Sequence, residues 1–201
     1  MQNNNGLKSY IIIAMGIVIL GLMVMFIMKY NALVDKEEFV KESWSQVEST
    51  LQRKLDLLPN LVKVVKIYAK HEKELLTEII ALRSNAKSTF NQKNTSSKKD
   101  EIKHLGIMKE RLDNTLLKLY AVAENYPDLK SSEQFLQLQS QIEGAENRIN
   151  ITRMQFNSSV SDFNAYIRKM PVNIISNFGS FQRKGYFKAE KKAHQKLELG
   201  L

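Results

Sequence analysis

A run of uncharged, mostly apolar residues near the N-terminus most constrains what this chain can fold into. The run is Tyr10 to Met28, YIIIAMGIVILGLMVMFIM, and Lys8 and Lys29 stand beside it. As an α-helix rising about 1.5 Å per residue it is roughly 28 Å long, close to the thickness of a bilayer's hydrocarbon core. A cleaved signal peptide has a shorter apolar region that ends in small residues, whereas this run ends in bulky side chains. We therefore predict a transmembrane helix over Tyr10 to Met28, after a short flank of residues 1–9.

Basic residues on the two sides of the predicted span indicate its orientation. The N-terminal flank holds Lys8, and the other flank holds Lys29, Lys36 and Lys41. Lysine and arginine near a span favour the cytoplasmic side, and acidic residues contribute little to this bias. The sequence thus predicts a single-pass membrane protein whose C-terminal domain is cytoplasmic.

Composition excludes several classes of site and favours one class of partner. The chain has no cysteine, which excludes disulfides, thiolate catalysis and cysteine-based zinc sites. Lysine and arginine number 30 against 21 acidic residues, giving a net charge of +9. Such an excess favours contact with anionic lipid headgroups or other polyanions. Because the lysines are spread over all the predicted helices, no nucleic-acid partner is expected.

Beyond the span, apolar residues recur at three- and four-residue spacing, which is typical of amphipathic helices. The membrane helix is predicted to continue directly into the first helix of a soluble domain. Pro59 predicts a tight reversal or sharp kink around Asp56 to Pro59, followed by a second helix from about Asn60 to Thr89. Residues 91–100 contain no apolar side chain and are predicted to form an exposed loop.

Two further helices complete the predicted domain. The third extends to Pro127, and the fourth begins at a capping box of Ser131 and Gln134 and extends to Met170. The fourth carries the longest apolar seam: Phe135, Leu138, Ile142, Ala145, Ile149, Thr152, Phe156, Val160, Phe163, Ile167 and Met170. Nearly strict alternation of threes and fours indicates helices packed with a slight left-handed supercoil. The predicted fold is all-α: an N-terminal transmembrane helix that continues into an antiparallel four-helix bundle of long helices over residues 30–171.

Short segments distributed along the chain, taken in order, resemble the LemA family. The first half carries these matches: Tyr30, Asn31, Leu33, Val34, Trp44, the run Asp56 to Val62, Tyr68, Ala69, His71 and Glu72. The second half carries these: Tyr126 to Lys130, Glu146 to Ile149, Arg153, Asn157, Val160 and Asn164. The chain departs from the family pattern at Ile67, where glycine is expected, at Phe156 and Phe163, which replace tyrosines, and at Met170, which replaces phenylalanine.

The resemblance implies a membrane-anchored antiparallel helical bundle of a bacterial cell membrane. The family has no established enzymatic activity, and a magnetosome-forming relative links it to membrane organisation. Because the departures remain apolar or compatible with a helix, we expect them to leave this fold intact.

The residues themselves offer no active site. His71 and Glu72 begin like a zinc-protease motif, but Leu75 stands where the second histidine would be needed. A glycine-rich phosphate loop is absent, and the chain has only three histidines. The sequence therefore predicts a protein that is not an enzyme, with no catalytic residues, no cofactor and no metal site.

Four charged residues lie on or beside the apolar seams of the predicted helices: Glu72, Arg83, Glu146 and Arg153. Charged side chains inside a bundle are costly unless they are paired. If these four are buried, we expect them to form a polar network between helices that fixes the register. The alternative is that each lies at the solvated rim of the bundle.

A basic, aromatic tail, residues 172–201, follows the predicted bundle. If four helices alternate in direction, the last returns to the bilayer surface near Met170, where the tail begins. Its candidate lipid-contacting residues are Phe178, Phe181, Arg183, Lys184, Tyr186, Phe187 and Lys188. This mixture suits anionic headgroups. The alternative is a disordered, solubilising end.

The sequence leaves two classes of function open. The first is a scaffold or membrane-organising interaction module, which would self-associate or act on the lipid bilayer. The second is an accessory subunit or regulator of another membrane protein, such as a membrane protease. Both use the surface of a helical bundle, so the sequence does not decide between them.

Overall fold

The computed structural model describes residues 4–91 and 98–187, and the described residues contain helices and no β-strand. In chain order the helices are α1 Asn4–Tyr68, α2 Lys73–Asn91, α3 Lys98–Ala123, α4 Pro127–Lys130, α5 Glu133–Tyr166 and α6 Val172–Phe178. The predictions of an all-α fold and of a long apolar N-terminal helix are confirmed. The arrangement of these helices as one four-helix bundle stays a prediction.

Helix α1 is 65 residues long and contains Pro59 in its interior. The predicted start of a second helix at Asn60 is therefore wrong, because α1 continues to Tyr68. The chain reverses instead around Ala69 to Glu72, where the amide of Glu72 donates to the carbonyl of Ala69 (3.2 Å).

Packing explains why α1 passes through its proline. A proline inside a helix costs about 3 kcal/mol or more, through a lost hydrogen bond and a steric clash. The apolar stripe remains buried on both sides of it, at Leu55, Leu58, Leu61 and Val65. Burying one such side chain is worth about 1.5–3 kcal/mol, so the continuous stripe outweighs the local cost.

The chain divides into two compact units. Within the described residues, the first unit comprises residues 4–41 and 159–184, and the second comprises residues 42–91, 98–158 and 185–187.

In the second unit, α1 and α5 run antiparallel. The hydroxyls of Thr50 and Thr152 lie 3.2 Å apart, and Lys54 Nζ lies 2.7 Å from a carboxylate oxygen of Glu146. Residue numbers thus rise along α1 as they fall along α5. The predicted seam of α5 is buried in this unit from Phe135 to Phe156, except that Thr152 is half-buried.

Helices α2 and α3 also run antiparallel in the second unit. The hydroxyl of Tyr126, just after α3, donates to Glu72, just before α2 (2.9 Å). One and a half turns further along α2, Glu78 binds Lys118 of α3 at 3.1 Å. The buried seam of α3 comprises Leu105, Met108, Leu112, Leu116, Leu119 and Ala123.

In the first unit, α5 ends earlier than predicted. It ends at Tyr166, so the helical register is lost before Met170, which is 73% exposed instead of continuing the seam. The short helix α6 follows and buries Val172 and Ile175.

The start of α5 differs from the prediction by one residue. The predicted capping box of Ser131 and Gln134 is wrong, because Ser132 Oγ accepts the hydrogen bond from the amide of Phe135 (3.2 Å). Ser131 Oγ instead donates to the carbonyl of Pro127 (2.8 Å) and closes the short helix α4.

Candidate membrane anchor and tail-docking sites

The N-terminal part of α1 is a candidate membrane anchor. The predicted span, Tyr10 to Met28, lies within α1, and its side chains are exposed all round the helix. Among the described residues, one helix is long and apolar enough to cross a membrane, and none of its most apolar stretch is buried. Water is a poor solvent for such a surface, whereas the hydrocarbon core of a bilayer suits it.

Aromatic and basic side chains lie where the apolar stretch of α1 ends. Tyr30 stacks on Phe26 with ring centroids 6.4 Å apart, and it meets the edge of Phe181 at 5.7 Å. The ammonium of Lys36 lies 5.3 Å from the ring centroid of Tyr166. Aromatic rings and lysines of this kind are typical of the boundary between hydrocarbon and headgroups.

In the second unit, four charged side chains from α1, α3 and α5 form what we call the charged cluster: Lys54, Lys109, Asp113 and Glu146. Lys54 is 2% exposed, and its Nζ lies 2.5 Å from Asp113 and 2.7 Å from Glu146. Lys109 Nζ binds the same two carboxylates at 2.6 Å and 2.9 Å. Each lysine therefore contacts both carboxylates, and the cluster has no net charge.

The pairing in the charged cluster outweighs the cost of burial. Burial alone raises the pKa of Glu146, but the hydrogen bonds from Lys54 and Lys109 hold that pKa below its usual value. Burial likewise lowers the pKa of Lys109, but its bonds to Asp113 and Glu146 raise that pKa above its usual value. Both groups are thus held in their charged forms. Breaking a buried pair typically costs 3–5 kcal/mol, so the cluster suits a role in fixing the register of three helices.

The structure does not bring the four residues of the predicted polar network together. Glu146 belongs to the charged cluster, and Glu72 accepts the hydrogen bond from Tyr126 (2.9 Å). Arg83 is exposed and Arg153 is half-buried. Sequence analysis missed the other three members of the charged cluster. One signal for them was a lysine four residues before an aspartate in α3, the spacing of an ion pair on one helix face.

Part of the predicted tail is docked in the second unit, at what we call the Phe187 site: Trp44, Gly106, Phe156, Asn157 and Phe187. Phe187 is 2% exposed and meets the edge of Trp44 with ring centroids 5.8 Å apart. Trp44 also packs on Phe156 at 5.0 Å. A Cβ atom on Gly106 would lie 3.8 Å from the ring of Phe187, so α3 passes directly beside it.

Asn157 holds the backbone of Phe187 through both of its polar groups. Asn157 Nδ2 donates to the carbonyl of Phe187 (2.9 Å), and the amide of Phe187 donates to Asn157 Oδ1 (2.9 Å). A carboxamide presents an N–H donor and a carbonyl acceptor side by side, as a neighbouring β-strand would. Asn157 therefore satisfies the amide and the carbonyl of one tail residue through backbone hydrogen bonds.

In the first unit, Asn164 holds Lys184 in the same manner. Asn164 Nδ2 donates to the carbonyl of Lys184 (2.9 Å), and the amide of Lys184 donates to Asn164 Oδ1 (2.9 Å). The side chain of Lys184 pairs with Glu37, and its ammonium lies 5.5 Å from the ring centroid of Phe163.

These contacts occupy some of the residues predicted to touch lipid. Phe187 is buried, and Phe181 and Lys184 are half-buried among the contacts already described. Three others are exposed: Phe178, Arg183 and Tyr186. Lys188 lies outside the described residues. The lipid-contact prediction now depends on the exposed residues, of which Phe178 is 81% exposed.

The attachment of Phe187 is modest in energy. Two hydrogen bonds contribute about 0.5–1.5 kcal/mol each, and burial of one phenylalanine contributes about 1.5–3 kcal/mol. Ordering the backbone opposes this by about 1–2 kcal/mol per residue. The net contribution of this attachment is therefore smaller than the sum of its favourable contacts.

The structure offers no metal centre within residues 4–91 and 98–187, where no group of three histidine, aspartate or glutamate side chains could hold an ion. A shallow cleft near the reversal between α1 and α2 is instead basic. It is lined by Lys66, Lys70, Lys73, Leu76, Thr77 and Ile80.

The chain is similar to bacterial magnetosome proteins. Magnetosome protein MamQ of Magnetospirillum gryphiswaldense is 27% identical over 177 residues, which cover 80% of this chain and 65% of the relative. Magnetosome proteins MamQ 1 and MamQ 2 of Paramagnetospirillum magneticum match with the same identity and coverage. The match thus spans slightly less than two thirds of each relative's length.

A family match covers most of the chain. The LemA family matches residues 43–199, which is more than half of the sequence. The match begins just before Trp44 and continues beyond residue 171, where the predicted bundle ends, so it includes Asn157, Asn164 and the docked tail residues. The resemblance found in the sequence is therefore confirmed, and the chain belongs to the LemA family.

Proposed function

We propose that this protein is a non-enzymatic, membrane-anchored helical module that organises a bacterial membrane as a scaffold. The observation that carries the proposal is the continuity of α1. Its exposed apolar part, residues 10–28, passes without a break into a part whose apolar stripe is buried, so one helix joins the candidate anchor to the packed helices.

Two further observations support this proposal. In the charged cluster each lysine contacts both carboxylates, which suits a structural role better than acid–base chemistry. The MamQ relatives bear the name magnetosome protein, which favours a role in arranging a bacterial membrane.

In-cell crosslinking of the full chain with its native anchor tests the scaffold. We expect mass spectrometry to identify mainly crosslinks between copies of this protein. Capture of one other membrane protein at fixed stoichiometry would instead favour the alternative, an accessory subunit or regulator of a partner such as a membrane protease. A variant with two arginines in the span, Ile17→Arg with Leu20→Arg, is the control for membrane dependence.

The same proposal places the C-terminal domain in the cytoplasm. Because the chain has no cysteine, a single introduced cysteine is labelled uniquely. We expect a membrane-impermeant maleimide to label Asn4→Cys in intact spheroplasts, and to label Met154→Cys, at an exposed position of α5, only after lysis. The reverse pattern would place the domain outside the cytoplasm.

A further inference from the structure

The contacts at the Phe187 site do not depend on whether the bound segment belongs to the same chain or to a second copy. We propose that this site also accepts Gly185 to Phe187 of a second copy, so that neighbouring chains in a membrane are linked by exchange of their tails. This inference rests on the proposed function, because it requires copies that assemble in the plane of the membrane.

Recognition at the site combines a general contact with a selective one. Asn157 bonds the amide and the carbonyl of Phe187, which are groups that another extended segment also offers. Selection comes from the aromatic ring, which fits between Trp44 and the surface of α3 at Gly106. The ligand class is therefore an extended peptide with an aromatic residue, and the segment seen in the site is the chain's own.

The position of the segment in the chain favours exchange. The division between the two compact units falls between Lys184 and Gly185, so the docked residues belong to the second unit while the chain that delivers them belongs to the first. Gly185 is half-buried, and the position that a Cβ would take on it is open. Glycine also permits a wide range of backbone angles, which suits a hinge.

Exchange needs no new contact. A second copy brings the same Phe187 to the same Asn157 and Trp44, and exchanging an identical element is a low-cost route to association. An anchor that confines copies to one membrane raises their effective concentration, which makes binding between copies more frequent than it would be for the same chains in solution.

Trp44 provides a specific reporter of the site. It is the single tryptophan of the sequence, and it contacts the ring of Phe187 directly. In an acceptor chain, Phe187→Ala leaves the Phe187 site empty and retains Trp44 as the fluorescent reporter. A donor chain with Trp44→Phe and Asn157→Ala has no tryptophan, retains Phe187 and has lost its own clamp.

The experiment reconstitutes full-length acceptor and donor together in vesicles of phosphatidylcholine and phosphatidylglycerol. We expect the acceptor alone to emit at longer wavelength than the wild type, and the donor to shift the emission at least half of the way back. The matched control donor also carries Phe187→Ala and should produce no shift. Circular dichroism confirms that each variant keeps its helix content, and a second acceptor, Phe187→Leu, makes a gentler change if the first fails to fold.

The outcomes separate this inference from the proposed function. Equal emission with donor and control donor would overturn tail exchange, as would an acceptor whose Trp44 emission matches the wild type. An amine-reactive crosslinker applied to the same vesicles tests assembly independently. Crosslinks between copies without a fluorescence shift would leave the scaffold standing and reject the exchange, whereas absence of both would count against self-association itself.

Discussion

The apolar side chains of α1 are exposed in its first half and mostly buried in its second half. Residues 10–28 are apolar all round the helix and exposed, whereas from Leu33 to Val65 apolar side chains recur along one face and are buried. The second half even buries a charge, Lys54, because two carboxylates lie within hydrogen-bonding distance of it. Among the described residues the surface of the first half is exposed, and it suits the hydrocarbon core of a bilayer, while the apolar face of the second half is buried in the protein.

The largest expected effect comes from charging the first half. Arginine near the centre of a span costs about 2.5–3.5 kcal/mol, so Ile17→Arg with Leu20→Arg should cost about 5–7 kcal/mol of membrane insertion. We expect the double variant to leave the carbonate-resistant membrane fraction. Ile67→Arg with Ile80→Arg is the matched control, because both isoleucines are exposed outside the apolar stretch. Retention of the double variant in the membrane would mean that the anchor lies elsewhere.

The next effect comes from removing the buried charge of the second half. Lys54→Met leaves Asp113 and Glu146 to share one lysine in a buried site, which should cost about 3–5 kcal/mol of unfolding free energy. Urea unfolding in detergent, followed by Trp44 fluorescence, measures this loss. Lys63→Met, at an exposed position of the same helix, should change the unfolding free energy by less than about 0.5 kcal/mol. Equal stability of the two variants would show that the charged cluster contributes little.

The contrast between the halves of α1 also shows what the sequence could predict. Apolar spacing is a local property, so it predicted the long apolar N-terminal helix and most of the buried seam of α5. The reversal of the chain was misplaced because the local rule for Pro59 competes with burial of Leu58 and Leu61, which depends on helices distant in sequence.

The sites depend on distant contacts as well, and sequence identified them less completely. The partners of Lys54 lie 59 and 92 residues away, and a lone lysine in a helix gives no sign of them. Asn157 was noticed only as part of the family resemblance, because its partner Phe187 lies 30 residues further along the chain. Phe187 was expected to touch lipid, since an aromatic residue in a basic segment fits a membrane surface as well as a protein pocket.

A smaller change in unfolding free energy tests the role of packing in the second half of α1. Alanine is about 3 kcal/mol more favourable than proline inside a helix, so Pro59→Ala should raise the unfolding free energy by up to about 3 kcal/mol. Its exposed neighbour is the control, because Asn60→Ala should add less than about 0.7 kcal/mol. Thermal unfolding in detergent compares the two. A destabilised Pro59→Ala would mean that the proline makes a contact that the helix needs.

The smallest expected effect is a dependence on pH that belongs to the second half alone. The hydrogen bonds from Lys54 and Lys109 hold the pKa of Glu146 below its usual value, even though burial by itself would raise it. A carboxyl group whose pKa is lower in the folded state stabilises the protein above its unfolded pKa, about 4.3, and this contribution is lost as the pH falls through the folded pKa. The unfolding free energy of the wild type should therefore decrease on acidification below about pH 5.

The variant Glu146→Gln distinguishes this contribution from general acid sensitivity. It should be less stable than the wild type at neutral pH, and its unfolding free energy should change less between pH 6 and pH 3, because glutamine has no proton to gain. Glu110→Gln, at an exposed position of α3, should retain the slope of the wild type. If Glu146→Gln keeps the full slope, other carboxylates carry the acid sensitivity. Membrane retention of the span should be unaffected over the same pH range, because residues 10–28 contain no aspartate, glutamate, lysine, arginine or histidine.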